Sequence, residues 1–207
     1  MHRQTDSTRL RHRQSGFTSL DTLMVIAISL TISAIAVPQV YRQLWRYEAA
    51  SSAQRVAGVL LRARSEAINR NKLITVKFWP TAATPRYGTD LNGDGVLQAT
   101  EPFIVLPSNV QMTNVGAPVL TSMGATYDCA PWCPPLPSAA DFAVTFAARG
   151  TVVQPVTSGG QTVWIEAGSV YVFFFHHTMS GAWYAVTLTP SCRTRVWQWN
   201  GTAWGLS

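Results

Sequence analysis

Residues 17–37 form a stretch of 21 whose only charged side chain is Asp21. Nothing else in the chain limits its fold as strongly. An α-helix rises about 1.5 Å per residue, so this stretch reaches roughly 30 Å, the thickness of a bilayer's hydrocarbon core. The segment ending at Gly16 holds Arg3, Arg9, Arg11 and Arg13 against one acid, Asp6. Arginines before the stretch and none within it predict a cytoplasmic amino terminus and a chain that crosses once. A secretory signal ends its apolar run at a small-residue cleavage site. Here the small residue, Gly16, precedes the run, so a cut there would leave the apolar helix on the mature chain. A carboxylate in hydrocarbon is expensive unless paired, so Asp21 is expected to mark a functional contact.

The order Gly16, Phe17, Asp21 and then an apolar helix resembles the signature of type IV pilins and type II secretion pseudopilins. The resemblance implies that a prepilin peptidase cuts after Gly16 and methylates the new amino-terminal Phe17. It makes Asp21 the fifth mature residue, whose carboxylate pairs with a neighbouring subunit's terminal amine. Pro38 falls at the twenty-second mature position, where such pilins commonly carry proline. Asp21 stands where the family normally has glutamate; the charge is kept and the side chain is one methylene shorter. A second stretch, Ala63-Arg64-Ser65-Glu66-Ala67-Ile68 followed by Arg70-Asn71, resembles the minor pseudopilins and minor pilins called GspH/FimT. The alternative for the leader is an ordinary signal anchor with a stray acid, carrying a plain β domain.

Of the 207 residues, removing sixteen leaves 191, enough for the span and one soluble domain with its own core. The formal charge of +6 owes half its excess to the leader's four arginines and one aspartate, so the high pI does not itself point to nucleic acid. Charged residues are only 13% and tryptophans number eight, which suits an exported, β-rich head.

Beyond residue 38 the helix is expected to continue as an amphipathic one. Ala53, Val56, Ala57 and Leu60 follow the helical apolar spacing, with Leu61 and Ile68 extending that side. Arg42, Arg46, Arg55, Arg62, Arg64 and Arg70 occupy other faces as a solvated surface, with Arg62 and Glu66 four apart. Pro38 is expected to kink or locally open the helix. From residue 73 the apolar period becomes two, and strands are predicted over 74–79, 103–106, 142–146, 162–165, 170–175, 183–188 and 195–199. Residues 80–88 and the proline-rich 129–137 read as loops. The fold class is α+β: a long amino-terminal transmembrane and amphipathic helix packed on an antiparallel β-sheet head, for which the resemblance implies a lollipop shape. The layout is leader 1–16, span 17–38, helix continuation 39–72 and head 73–207.

Three constellations in the head carry candidate chemistry. Asp90, Asn92, Asp94, Val96 and Glu101 fit the spacing of a calcium loop, which would make Ca²⁺ the one cofactor implied. The segment before them reads as strand and loop instead of an entering helix, so a hairpin built on Asn and Gly turns is the other reading. In an oxidising compartment Cys129 and Cys133 are close enough to close a small disulfide loop, leaving Cys192; alternatively Cys192 pairs with one of them. Near the carboxyl end, Arg193, Arg195 and Trp197 share one parity of an extended segment. Two guanidiniums suit phosphates and the indole suits stacking on a base. Some FimT-like minor pilins bind DNA through a Gly-Arg-x-Arg tail, and here Cys192 replaces that glycine. The other reading is an ordinary strand whose tryptophans pack on the head.

No nucleophile elbow, zinc-protease helix or phosphate loop is present, so the chain reads as a structural subunit and not an enzyme. The resemblance implies other pilins or pseudopilins, a prepilin peptidase, an inner-membrane assembly platform and, before assembly, the bilayer as partners. It implies residence in the inner membrane with the head in the periplasm, then in a pseudopilus or a surface pilus, at initiation or at the tip. The alternative partner is DNA, captured for natural transformation.

Overall fold

The computed structural model describes residues 18–80, 82–92, 94, 98, 100–118, 142–158, 160–168 and 170–207. The chain divides into two units, Met1–Tyr41 and Arg42–Ser207. One helix, α1 (Ser19–Arg70), belongs to both. Its apolar part is long enough to cross a bilayer. Pro38 lies inside the helix, and helical structure continues on both sides of it.

In the second unit α1 buries a stripe made of Ala49, Ser52, Ala53, Val56, Ala57, Leu60, Ala63 and Ala67. These spacings of three and four keep to one helical face, and alanine lets that face come close to a sheet. Leu61 and Ile68, expected to extend the apolar side, stay half exposed; Ala63 and Ala67 take the inward positions. The helix ends in a left-handed Asn71, φ 50°. There the Lys72 N–H donates to the Ala67 carbonyl at 3.2 Å and the Asn71 N–H to the Ile68 carbonyl at 3.3 Å. This closure satisfies carbonyls that the helix itself cannot.

Eleven strands occur among the described residues: β1 (Ile74–Trp79), β2 (Arg86–Asp90), β3 (Phe103–Val105), β4 (Val110–Met112), β5 (Phe142–Phe146), β6 (Val152–Ser158), β7 (Gln161–Glu166), β8 (Tyr171–His177), β9 (Trp183–Leu188), β10 (Thr194–Trp199) and β11 (Trp204–Leu206). They form a six-stranded sheet ordered β3-β2-β1-β5-β6-β7 and a five-stranded sheet ordered β11-β10-β9-β8-β4. Every pairing is antiparallel. The α+β class therefore holds: a long amino-terminal helix whose later part packs on antiparallel sheets.

The main core lies between the helix stripe and both sheets. Phe78 of β1 joins them, its ring 4.6 Å from Phe142 of β5 and 5.1 Å from Phe173 of β8, distances that suit stacked aromatic pairs. All six residues of β9 are buried because its sheet has a second apolar face. There Val172, Phe174, Trp183, Ala185, Trp197 and Trp204 make a separate cluster. That cluster accounts for much of the tryptophan content.

Four strands escaped sequence reading. β2 falls largely within residues 80–88, expected to be a loop, yet Tyr87 anchors it by stacking on Phe78 at 5.9 Å. β6 contains Pro155, which normally demotes a strand. β4 and β11 are three residues each, too short to show a period.

Two predictions follow from this packing. Gly150, in the β5–β6 turn, has φ +76°, and a Cβ there would lie 2.7 Å from Ile68 Cδ1. Gly150→Ala is expected to destabilise the chain by about 2 kcal/mol through left-handed strain and overpacking. Gly58→Ala, inside the helix with nothing within 4 Å, should stabilise it by about 0.5–1 kcal/mol. Chemical denaturation of the full chain in detergent reads both signs.

The Tyr87 hydroxyl is buried with no hydrogen-bond partner among the described residues. Burial pushes its pKa up to about 12 from 10.0, and the Arg55 charge offsets little of this. The folded state thus favours the protonated phenol. That contribution is complete below pH 10 and is lost as pH rises through about 12. Tyr87→Phe should leave stability at neutral pH unchanged or raised by up to about 1 kcal/mol, and should reduce the alkaline loss in the same denaturation assay run from pH 7 to 11.

Candidate functional site

The first turn of α1 is built around its single acid. Thr18 precedes the helix and its hydroxyl accepts the Asp21 N–H at 3.3 Å. Asp21 Oδ2 in turn accepts the Thr18 N–H at 3.0 Å and the Thr18 hydroxyl at 2.7 Å. This is a reciprocal capping box, with aspartate where glutamate is more usual. It also sets a negative charge against the positive end of the helix dipole. Asp21 therefore already has a partner within its own chain, which the pattern Thr-x-x-Asp could have revealed. Both side-chain bonds fall on Oδ2, and among the described residues Oδ1 takes none. The expected cleavage residue Gly16 and the expected methylation site Phe17 lie outside the described residues.

The candidate calcium residues bond one another and their own loop. Glu101 Oε1 accepts the N–H groups of Leu91 at 2.7 Å and Asn92 at 3.2 Å, and Oε2 accepts that of Gln98 at 2.9 Å. Asp94 Oδ2 accepts the side-chain amides of Asn92 at 2.9 Å and Gln98 at 2.7 Å, while Asn92 Oδ1 accepts the Asp94 N–H at 3.0 Å. Asp90 is buried at the end of β2, paired with Thr75 across the ladder. Both Glu101 oxygens, Asp94 Oδ2 and Asn92 Oδ1 thus bond the loop's own donors. Val96 lies outside the described residues. Among the described residues no three His, Cys, Asp or Glu side chains gather as a metal site. Glu101 instead acts as an internal brace, and Arg70 ties the loop to the helix by donating to the Leu91 carbonyl at 3.4 Å. Arg70 also pairs with Glu66 at 2.8 Å, which replaces the Arg62–Glu66 pair expected from spacing.

The tail begins in the hairpin turn between β9 and β10, residues 189–193, and runs on into β10. The Thr189 N–H bonds the Arg193 carbonyl at 3.1 Å, and the Cys192 N–H bonds the Thr189 carbonyl at 2.7 Å. Cys192 then takes φ 64°, the left-handed step such loops require after their turn. This is a backbone that a glycine would adopt freely. Arg193 is exposed and Arg195 partly buried. Trp197 is 6% exposed, and its indole N–H donates to Thr187 Oγ1 at 3.0 Å. The expected stacking platform is thus enclosed in the second core, because neighbouring tryptophans bury it.

A pairing that sequence reasoning missed joins α1 to β8. His177 is wholly buried; Glu48 Oε2 lies 3.3 Å from its Nε2 and the Trp45 ring stacks at 6.3 Å. Nδ1 accepts the Ser180 N–H at 3.1 Å, which leaves Nε2 as the donor to Glu48. The partners stand 129 residues apart, and no local pattern announces them. His176 points the other way, against Trp183 at 4.3 Å, as alternation along a strand demands.

Cys129 and Cys133 lie outside the described residues, while Cys192 is a buried free thiol. Burial pushes its pKa up, with the Arg64 charge and the Val152 N–H pulling the other way. Iodoacetamide is expected to leave Cys192 unlabelled in the folded chain near neutral pH and to label it fully in denaturant, as peptide mass mapping would read.

No family model and no curated protein matches the chain. Among solved structures it is similar to the type IV minor pilin FimU of Pseudomonas aeruginosa strain PAO1. The likeness has 14% identity and a TM-score of 0.45, and covers 73% of this chain and 89% of that one.

Proposed function

We propose that this chain is a pilin-like structural subunit, held in a membrane by α1 and then drawn into a filament in which the same helix packs against its like. The observation that carries this reading is Asp21, the only charge in a 21-residue apolar stretch, tied to the first turn by Oδ2 with Oδ1 unused among the described residues. Removal of the leader after Gly16 would create an amine on Phe17, and Oδ1 of one subunit would accept that amine from the next. A charge-assisted bond in an apolar surrounding is strong and directional, so it fixes the axial step between helices, while helix packing supplies the apolar burial. The capping box holds the carboxylate at the helix end in lipid, lowering the cost of its stay there. In this reading a prepilin peptidase, an inner-membrane assembly platform and other pilins or pseudopilins are the partners, and the subunit acts at initiation or at the tip.

The test uses the chain expressed with its assembly system. Asp21→Asn is expected to be processed normally, giving Phe17 as the first residue by mass spectrometry. It should enter sheared filaments at least tenfold less than the parent, the factor that about 1.4 kcal/mol represents. Asp21→Glu should restore entry. A mature protein that keeps its arginine-bearing leader, or an Asp21→Asn chain that assembles like the parent, overturns the proposal.

A further inference from the structure

The described strands leave four sheet edges, and three of them are short. β3, β4 and β11 have three residues each, whereas β7 has six, every one exposed. Short edges, lysines and prolines are the means by which sheets avoid pairing with other chains. β7 uses none of these, and its one charge, Glu166, is its last residue. It holds no lysine, arginine or proline, and the chain carries no charge from Gly150 through Ile165. Val163, Trp164 and Ile165 are 53%, 41% and 43% exposed.

The register shows which backbone groups face outward. β6 and β7 pair from Val153 with Glu166 to Ser158 with Gln161. The Ala167 N–H donates to the Val152 carbonyl at 2.9 Å, which makes 152 and 167 a bonded pair. Alternation by two makes bonded pairs of Gln154 with Ile165, Val156 with Val163 and Ser158 with Gln161. Thr162, Trp164 and Glu166 therefore turn their N–H and C=O groups to the open side. On the far side of β6 the corresponding residues include Pro155, which has no N–H to offer. The hairpin is blunted along one side and left ready along the other.

We propose that β7 is a docking edge for the same strand of a second copy of this chain, paired antiparallel about a two-fold axis at Trp164. A two-fold axis normal to the sheet keeps side chains on matching faces only where it passes through a residue or its cross-strand equivalent. With the axis at Trp164, Thr162 meets Glu166, Val163 meets Ile165 and Trp164 meets itself. All three outward residues then find partners, whereas an axis at Val163 leaves Glu166 unmatched. No like charges face each other, and the apolar pairs are of the kind that stabilise sheets. The contact is self-complementary and closed, as a two-fold dimer requires. It involves the second unit alone and stands whether or not the helix builds filaments.

Full-length chain in detergent decides the matter by light scattering and site-resolved hydrogen exchange across a concentration series. A dimer is expected to form with rising concentration, with the amides of Thr162, Trp164 and Glu166 slowing at least tenfold as it does; those of Val163 and Ile165 are protected throughout. Trp164→Pro removes one outward donor and Trp164→Lys sets like charges face to face at the axis. Each should weaken the dimer at least tenfold with inner protection intact; if proline disturbs the inner amides, the lysine variant decides. A parent whose outward amides exchange freely at every concentration, or a dimer as strong in Trp164→Lys as in the parent, overturns the proposal. Asp21→Asn should leave this dimer unchanged, which separates its failure from failure of the filament reading.

Discussion

The second unit depends on how closely an alanine-lined helix face can approach two sheets. Ala49, Ala53, Ala57, Ala63 and Ala67 bring little side-chain volume of their own. The core is filled instead by what rises from the strands, chiefly Phe78, Phe146, Phe173 and Phe175. Small on one side and large on the other is how an interior reaches close packing without voids. The same closeness explains Gly150, whose turn lies beneath Ile68 and Arg64. It also draws Arg64 inward: its Nε is buried without a hydrogen-bond partner among the described residues. Such an orphan is tolerated only because the surrounding contacts outweigh it.

Polar groups in this chain are spent on partners inside it. Asp21 closes the first turn of α1, Glu101 gathers three backbone N–H groups of its loop, and His177 holds Glu48 on one nitrogen and Ser180 on the other. In each case a group whose type suggests ligand chemistry instead satisfies backbone or side-chain partners that folding would otherwise leave unpaired. Asp21 differs in one respect. Its second oxygen remains outside the internal pattern, at the end of the helix where another chain could reach it. The two proposed contacts, at Asp21 and along β7, would use different units and different chemistry, an ion pair in one and a backbone ladder in the other.

Much of this architecture was legible from residues alone, because it follows from periods. The apolar stretch, the alanine face and the longer strands each repeat at 3.6 or 2 over enough residues to be read. The capping box at Thr18 and Asp21 was equally local and was legible as a pattern. What escaped was either too short to have a period, as β4 and β11 are, or contradicted its own composition, as Gly88 in β2 and Pro155 in β6 do. Tertiary pairing overrode propensity there, since an extended segment beside an existing strand gains a ladder of bonds.

By itself the sequence determined that a long apolar helix precedes a β-rich domain and that one carboxylate stands at the start of that helix. Those properties depend on neighbours a few residues apart. Only the tertiary structure decided that Trp197 is enclosed, that Glu101 braces its own loop, that Glu66 pairs with Arg70, and that His177 meets Glu48 across 129 residues. The reason is physical: burial and partner choice are set by which surfaces two sheets and a helix bring together, and spacing along the chain carries no record of that.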